Sequence, residues 1–271
     1  MSSADLVELL IKVSRDIMII PAHIWTPWYS MLGAYGGFNS VEECYGDQAD
    51  NIYALETGLS SDPIMNRRVS ALDNYTLISN SDAHSPYEYR IGREATVLQL
   101  KDLTYENVID TIKDNNPVTL YTIETYPEYG KYHYSGCREC GISTFSSFEL
   151  RGSCPRCGYR LTKGVEERVN ECARYINVRY SIKPPFKYTI PLQEIIAYTL
   201  GIADLNSARV AEVYAKLISA YLNEYHVLFY APHNALKSTV GEDLARNIML
   251  VRWEKVKVTP GYDGVYGVIE I

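Results

Sequence analysis

Residues 75–86 read YTLISNSDAHSP, a short apolar run that ends in small polar residues around Asp82 and His84. α/β enzymes place their chemistry where strands end, at the carboxyl edge of the sheet. Asp82 and His84 are two residues apart, so on an extended segment their side chains point the same way and could reach one cation. The alternative is a Ser/Asn/Asp turn whose side chains satisfy nearby backbone groups.

Two earlier apolar runs end in a similar way. Residues 17–20 lead to His23, and residues 52–55 lead directly to Glu56. A proline-broken loop with two tryptophans follows His23, and such a loop is unfavourable in water unless it packs or binds something. Three successive strand ends therefore present His23, Glu56 and the Asp82/His84 pair, which favours a metal site over a simple turn.

The strongest local motif is formed by Cys137 and Cys140, then thirteen other residues, then Cys154 and Cys157. Each pair is a knuckle that offers two sulfurs to one ion, and two knuckles complete a tetrahedral four-thiolate site. The spacing predicts a structural zinc in a zinc ribbon. Two disulfides are the alternative, but they need an oxidising compartment that nothing else in the sequence supports.

The composition suits a globular protein, with 271 residues of which 46% are apolar. The formal net charge of −7 argues against a protein that coats nucleic acid by charge alone. Residues 131–190, however, contain 11 basic and 5 acidic residues, which indicates either a localised phosphate-facing surface or a solvated charged face. No signal peptide or membrane span is indicated, so we expect no membrane partner and a cytoplasmic location.

Tyrosine is unusually common, with 24 Tyr against 5 Phe. Most of these rings are expected to pack in cores or interfaces. Some could instead stack on unpaired bases, because aromatic stacking is how such bases are held.

The chain divides into three predicted regions: an α/β region with a mostly parallel sheet over residues 1–125, the ribbon segment over 126–183, and a helical domain with a terminal hairpin over 184–271. Apolar spacing predicts one helix in the first of these regions and another in the third. The first is capped by Ser2 or Ser3 and has an apolar face of Leu6, Leu9, Leu10 and Val13. The second is capped by Asn206 or Ser207 and has an apolar face of Val210, Val213, Tyr214, Leu217, Ile218, Tyr221 and Leu222. The terminal hairpin is expected only to pack.

The segments PAHIWTPW (21–28), ETGLSSD (56–62) and SNSDAHSP (79–86) resemble endonuclease Q, a member of the polymerase-and-histidinol-phosphatase (PHP) superfamily of metal-dependent phosphoesterases. The zinc ribbon and the helical tail resemble the same family. The resemblance covers nearly the whole chain.

This resemblance implies a partial PHP-type β/α barrel with a multinuclear metal centre, followed by a zinc-binding segment and a helical domain. It implies cleavage of DNA on the 5′ side of a deaminated base or an abasic site. By motif match, His23, Asp82 and His84 would be the catalytic residues and would bind divalent Zn, Mn or Mg, with Glu56 as a nearby supporting carboxylate. Arg90 and Arg93 are candidate phosphate contacts, with solvated surface arginines as the alternative.

The chain departs from the family pattern in one respect, because relatives begin with a strand that bears His-x-His and this sequence has no His-x-His. Met1 directly precedes a predicted capped helix. We therefore expect the chain to be one half of a split enzyme whose companion chain supplies the remaining strands and ligands.

Two other readings remain open. In the first, the chain is a non-catalytic, zinc-ribbon subunit that binds nucleic acid or acts as a scaffold. In the second, it is a PHP phosphatase for a small phosphate ester, which leaves the ribbon unexplained.

Overall fold

A computed structural model describes residues 1–116, 120–173 and 185–271. In this part the chain is a mixed α/β protein. Its helices are α1 (Ser3–Val13), α2 (Val41–Tyr45), α3 (Pro63–Asn66), α4 (Tyr105–Asp114), α5 (Val165–Ala173), α6 (Leu192–Leu200), α7 (Ala208–Tyr221), α8 (Glu224–Phe229), α9 (His233–Val240) and α10 (Glu242–Arg252). Its strands are β1 (Ala54–Glu56), β2 (Thr76–Ile78), β3 (Ala95–Leu98), β4 (Leu120–Glu124), β5 (Ser135–Cys137), β6 (Ile142–Thr144), β7 (Phe186–Tyr188), β8 (Lys257–Thr259) and β9 (Val268–Glu270).

The strands that were described form four small sheets and close no barrel. β1 and β2 are parallel, and Ile19 forms a parallel bridge to Ile52 beside them. β4 pairs in parallel with β7 and antiparallel with β3. The prediction of a mostly parallel sheet is therefore wrong for β3. α4 connects β3 to β4, but β4 returns beside β3 in the opposite direction, so this connection is not the crossover that a parallel pair requires.

Helix α1 is capped as predicted, because the Ser2 hydroxyl accepts from the Asp5 amide and the Asp5 carboxylate accepts from the Ser2 amide. The apolar face identified from the sequence is not the face of α1 that packs into the core. Val7 is buried, whereas Leu6, Leu9 and Val13 are 46%, 49% and 74% exposed. The helix has two apolar stripes, and the shorter one, with Val7, packs into the core.

Besides a small cluster around Cys137 and Cys154, three apolar clusters organise the described part of the chain. One joins α1, α2, β1 and β2 to α5, and a smaller one lies between the sheets and α4. The third is the core of α6 to α10. α5 lies in the predicted ribbon segment but packs with the N-terminal elements through Val165 and Val169. The boundary predicted at residues 183 and 184 lies outside the residues that are described.

The C-terminal elements follow the sequence pattern closely. Ser207 caps α7, and most of the predicted face of α7 packs in the third cluster, although Leu222 is 84% exposed. β8 and β9 form the antiparallel terminal hairpin. Within the residues described, none of the helices combines the length and the apolar character needed to cross a membrane.

Candidate active site

Five of the predicted site residues line one open cleft of about 460 Å³. They come from the loop after residue 20 and from the loop between β2 and β3. The cleft also receives residues from the segment after β4 and from the terminal hairpin. Its chemically important lining residues are His23, Asp82, His84, Arg90, Arg93, Lys131, Tyr132 and Tyr266.

The imidazole of His23 is held in a defined orientation. Its Nδ1 lies 2.9 Å from the Ser30 hydroxyl, and that hydroxyl donates to the carbonyl oxygen of His23 itself at 2.6 Å. Because the single hydroxyl proton of Ser30 is used by the carbonyl, Nδ1 of His23 must be the donor to Ser30. The lone pair of His23 is therefore on Nε2, which is the state that a metal ligand requires.

Glu56 joins two of the strand ends. One carboxylate oxygen accepts from the His23 backbone amide at 2.6 Å, and the other accepts from the Asn80 side-chain amide at 3.0 Å. The Glu56 side chain is buried, so water competes weakly for these two bonds. Glu56 therefore fixes the backbone of His23 relative to the polar loop that carries Asp82.

Asp82 and His84 are not on an extended segment, contrary to the sequence expectation, because β2 ends at Ile78. Asp82 has a left-handed backbone with φ of +46°. Nδ1 of His84 lies 2.8 Å from the Asp82 carbonyl oxygen, which must accept, so Nε2 of His84 is also free as a ligand atom. The side chains of Asp82 and His84 are 47% and 85% exposed.

The three candidate ligands share the cleft but are not gathered at one point. In the part of the chain that is described, the only group of three or more potential ligand side chains within 4.8 Å of one another is the set of four cysteines. The donor chemistry fits a divalent ion, with two imidazole nitrogens and one carboxylate. His23, Asp82 and His84 thus supply an open and incomplete ligand set.

Basic and aromatic groups form the rim of the cleft. Arg93 donates from Nε to the Ser81 carbonyl oxygen at 2.9 Å, so it supports the loop that carries Asp82. Burial lowers the pKa of Arg93, and the neighbouring charge of Arg90 lowers it further. The ammonium of Lys131 lies 4.6 Å from the ring centre of Tyr266. Lys131 and Tyr266 were not predicted as site residues, although the tyrosine-rich, basic segment that contains Lys131 indicated a phosphate-facing surface.

Two buried carboxyl groups, also missed from sequence, lie beside the strand ends. Glu94 accepts from the Ser79 hydroxyl at 2.9 Å and from the Thr125 hydroxyl at 2.7 Å. Glu124 accepts from the Thr57 hydroxyl at 3.2 Å. Burial raises the pKa of Glu94 to about 7. Burial and the neighbouring Glu94 raise the pKa of Glu124 well above its ordinary value. Both carboxyl groups therefore stay protonated to a higher pH than an ordinary glutamate does.

The four cysteines form a second site. All six cysteines of the chain are free thiols, so the alternative of two disulfides is not formed. The sulfurs of Cys137 and Cys157 are 3.7 Å apart, and tetrahedral zinc with bonds of about 2.3 Å requires about 3.8 Å between sulfurs. Burial alone would raise the pKa of Cys154, but backbone amides of Cys157 and Arg156, with neighbouring thiols, lower it to about 6. These residues fit a tetrahedral metal ion.

The terminal hairpin also contacts this second site. The Asp263 carboxylate accepts from the Arg138 backbone amide at 2.8 Å and from the Thr162 hydroxyl at 2.6 Å. The Tyr134 amide donates to the Gly261 carbonyl oxygen at 2.9 Å. The hairpin therefore connects the four-cysteine site to the cleft that Tyr266 lines.

The fold and the two sites define a mixed α/β protein with a histidine and carboxylate cleft beside a four-cysteine site. The chain is similar over its whole length to the crystal structure of the lesion-specific endonuclease PfuEndoQ from Pyrococcus furiosus, with 32% identity, a TM-score of 0.89 and 66% of that chain covered. It is equally identical, at 32%, to an endonuclease Q in complex with a 27-mer duplex that has an abasic lesion at the active site, with a TM-score of 0.87 and 67% of that chain covered. The chain belongs to the endonuclease Q family.

Sequence comparisons identify further relatives. A family model described as the MJ0043 C-terminal domain matches residues 191–255. MJ0043 of Methanocaldococcus jannaschii is 32% identical over 256 residues, which are 90% of this chain and 31% of that protein. YqxK of Bacillus subtilis is 32% identical over 257 residues, which are 93% of this chain and 61% of that protein. The chain therefore spans less than two thirds of both relatives.

Gly58→Ala should disturb the cleft. Gly58 has φ of +64°, and an added Cβ would lie 2.7 Å from the His23 Cβ. We expect a loss of about 2–4 kcal/mol, from the left-handed backbone plus the overpacking of His23. Gly201→Ala is the matched control, because Gly201 has φ of +65° and open space around it; it should lose only about 1–2 kcal/mol. Urea unfolding measures both, and equal losses would contradict the packing of Gly58 against His23.

Removal of the four-cysteine site should release zinc and loosen its segment. The full chain should contain one tightly held zinc that Cys154→Ser abolishes, because a site of this kind needs all four ligands and contributes on the order of 10–16 kcal/mol to a small fold. Elemental analysis and thermal unfolding are the measurements. Cys44→Ser, a thiol outside the group, should keep the zinc. A zinc content that Cys154→Ser leaves unchanged would contradict the assignment.

Stability should fall as the pH rises from about 4.5 to about 7. The Glu94 carboxyl has an ordinary pKa of 4.5 and a folded pKa of about 7, so the folded state holds more protons between these values and stability decreases across that window. Glu94→Gln should remove about 1–3 kcal/mol of this dependence. Urea midpoints from about pH 5 to about pH 8 measure it, with the exposed Glu106→Gln as the control. An unchanged slope in Glu94→Gln would show that Glu94 is ionised throughout.

Proposed function

We propose that the chain forms part of a metal-dependent DNA repair endonuclease that cleaves the phosphodiester backbone 5′ of a deaminated base or an abasic site. The observation that carries this proposal is the single cleft in which His23, Asp82 and His84 meet the basic groups Arg90 and Lys131. An endonuclease Q of the same family has been solved with an abasic lesion at its active site. We infer that this cleft takes the corresponding part of a DNA strand.

Each group in the cleft has a role suited to phosphodiester hydrolysis. His23 and His84 offer Nε2 lone pairs and Asp82 offers a carboxylate, and a divalent Zn, Mn or Mg ion held there lowers the pKa of water and neutralises phosphate charge. Arg90 and Lys131 are placed to hold non-bridging phosphate oxygens. Arg93 supports the Asp82 loop through Ser81, so its substitution should change the site indirectly.

We further propose that a companion polypeptide, with the His-x-His strand of a PHP-type barrel, completes the ligand set. Two observations support it. Three ligands that are not gathered at one point, two of them open to solvent, make a weak metal centre on their own. The stripe of Leu6, Leu9 and Val13 on α1 is exposed and apolar, which is the surface expected of a helix that packs against another polypeptide.

The decisive test is strand nicking of duplex DNA that contains uracil, hypoxanthine or an abasic site. The chain alone should nick weakly or not at all, and nicking should appear when it is joined to the third of the PfuEndoQ chain that it does not match. Asp82→Asn in the joined protein should reduce nicking by about a hundredfold or more, because the change removes a charged metal ligand. Gel electrophoresis of end-labelled DNA measures the cut and its position.

Matched variants of α1 test the companion surface. Leu9→Asp should prevent association of a separately added companion without unfolding the chain, whereas Glu8→Lys, on the polar face, should not. Absence of nicking by the chain, the pair and the joined protein would reject the endonuclease proposal. It would favour instead a subunit that binds nucleic acid through the four-cysteine segment without cutting it.

A further inference from the structure

A second cavity, separate from the active-site cleft, lies between the loop at Tyr35 and the four-cysteine segment. Its volume is about 740 Å³, and its lining includes Tyr35, Phe148, Arg151 and Arg160. Phe148 is 86% exposed. An exposed phenyl ring in a cavity that two arginines also line is unfavourable in water, but it suits a ligand that has both flat rings and negative charge.

The charges of this cavity are available for a ligand. The guanidinium groups of Arg151 and Arg160 make no ion pair or hydrogen bond with the described residues. Two of the acids that line the cavity have partners within the protein. Glu171 pairs with Lys163 at 2.5 Å. Glu167 accepts from the Ser135 and Ser147 hydroxyls at 2.5 and 2.8 Å. Glu149 is the remaining acid in the lining. The lining contains three basic and three acidic side chains, and among the described residues Arg151 and Arg160 are its cations that lack an ion pair.

Aromatic rings connect this cavity to the active-site cleft. Tyr132 lines the cleft, and its ring centre is 5.1 Å from that of Trp28. Trp28 in turn stacks on Tyr35 at 5.2 Å, with their planes 21° apart, and Tyr35 lines the second cavity. Trp28 and Tyr35 are 38% and 39% exposed. A partly exposed row of rings thus runs from one cavity to the other.

We propose that an unpaired segment of DNA that leaves the active-site cleft follows this row of rings and is held in the second cavity. Its bases stack on Phe148, and its phosphates pair with Arg151 and Arg160. The inference rests on the DNA substrate proposed above. It adds a single-strand binding site that is distinct from the residues His23, Asp82 and His84.

The test is fluorescence anisotropy with the full chain and a labelled single-stranded oligonucleotide. Phe148→Ala should weaken binding by about fivefold or more, which corresponds to the loss of one stacked base, and Phe148→Trp should restore it. The double variant Arg151→Ala/Arg160→Ala should also reduce the slope of log affinity against log salt by about 1.4, or about 0.7 for each lost phosphate contact. Lys216→Ala, an exposed cation on α7, is the control and should change neither quantity.

The outcomes separate this site from the active site. Asp82→Asn should keep the affinity of the chain for single-stranded DNA, although the same change in the joined protein should remove nicking. Loss of single-strand binding in Asp82→Asn would contradict a binding site distinct from the active site. No binding of single-stranded DNA by the unmodified chain would overturn the inference. Binding that is the same in the unmodified chain, Phe148→Ala and the double arginine variant would overturn it as well. All five changed residues are exposed, so circular dichroism and zinc content should confirm intact folding.

Discussion

The Glu56 carboxylate is the interaction on which the cleft most depends. It lies at the end of β1 and accepts from the His23 backbone amide and from the Asn80 side chain, so one buried group sets the distance between two loops that carry the candidate ligands. A buried acceptor that loses its donors costs about 1–3 kcal/mol. The loops at the strand ends are therefore held in place by the hydrogen bonds that they donate to Glu56. These bonds allow strands of only three residues to form an ordered edge.

The position of the cleft explains why separate parts of the chain contribute to it. The N-terminal core supplies the ligand loops, the segment after β4 supplies Lys131 and Tyr132, and the terminal hairpin supplies Tyr266. Glu94 and Glu124 lie behind this edge with their hydroxyl donors. Burial of two carboxyl groups reduces the stability of the fold. Such destabilising groups are common beside sites at which a protein arranges residues for chemistry.

Much of the candidate site could be predicted from sequence because its signals are local. His23, Asp82 and His84 each follow a short apolar run, and the cysteine spacing alone identified four sulfurs that the fold brings within 4.8 Å. The direction of Asp82 could not be predicted, because its left-handed backbone depends on bonds made by Arg93 and His84 after folding. Tyr266, Glu94 and Glu124 were missed since their neighbours are distant in sequence. On α1, periodicity found an apolar stripe but could not tell which of two stripes faces the core.

The contact between Asp263 and the Arg138 amide has a consequence for how the protein responds to its metal supply. Arg138 lies inside the first cysteine knuckle, and Asp263 lies three residues before Tyr266 in the same hairpin. An ion that orders the knuckle would therefore also steady the Tyr266 ring at the edge of the cleft. A shortage of that ion would loosen this wall of the cleft while His23, Asp82 and His84 stayed in place.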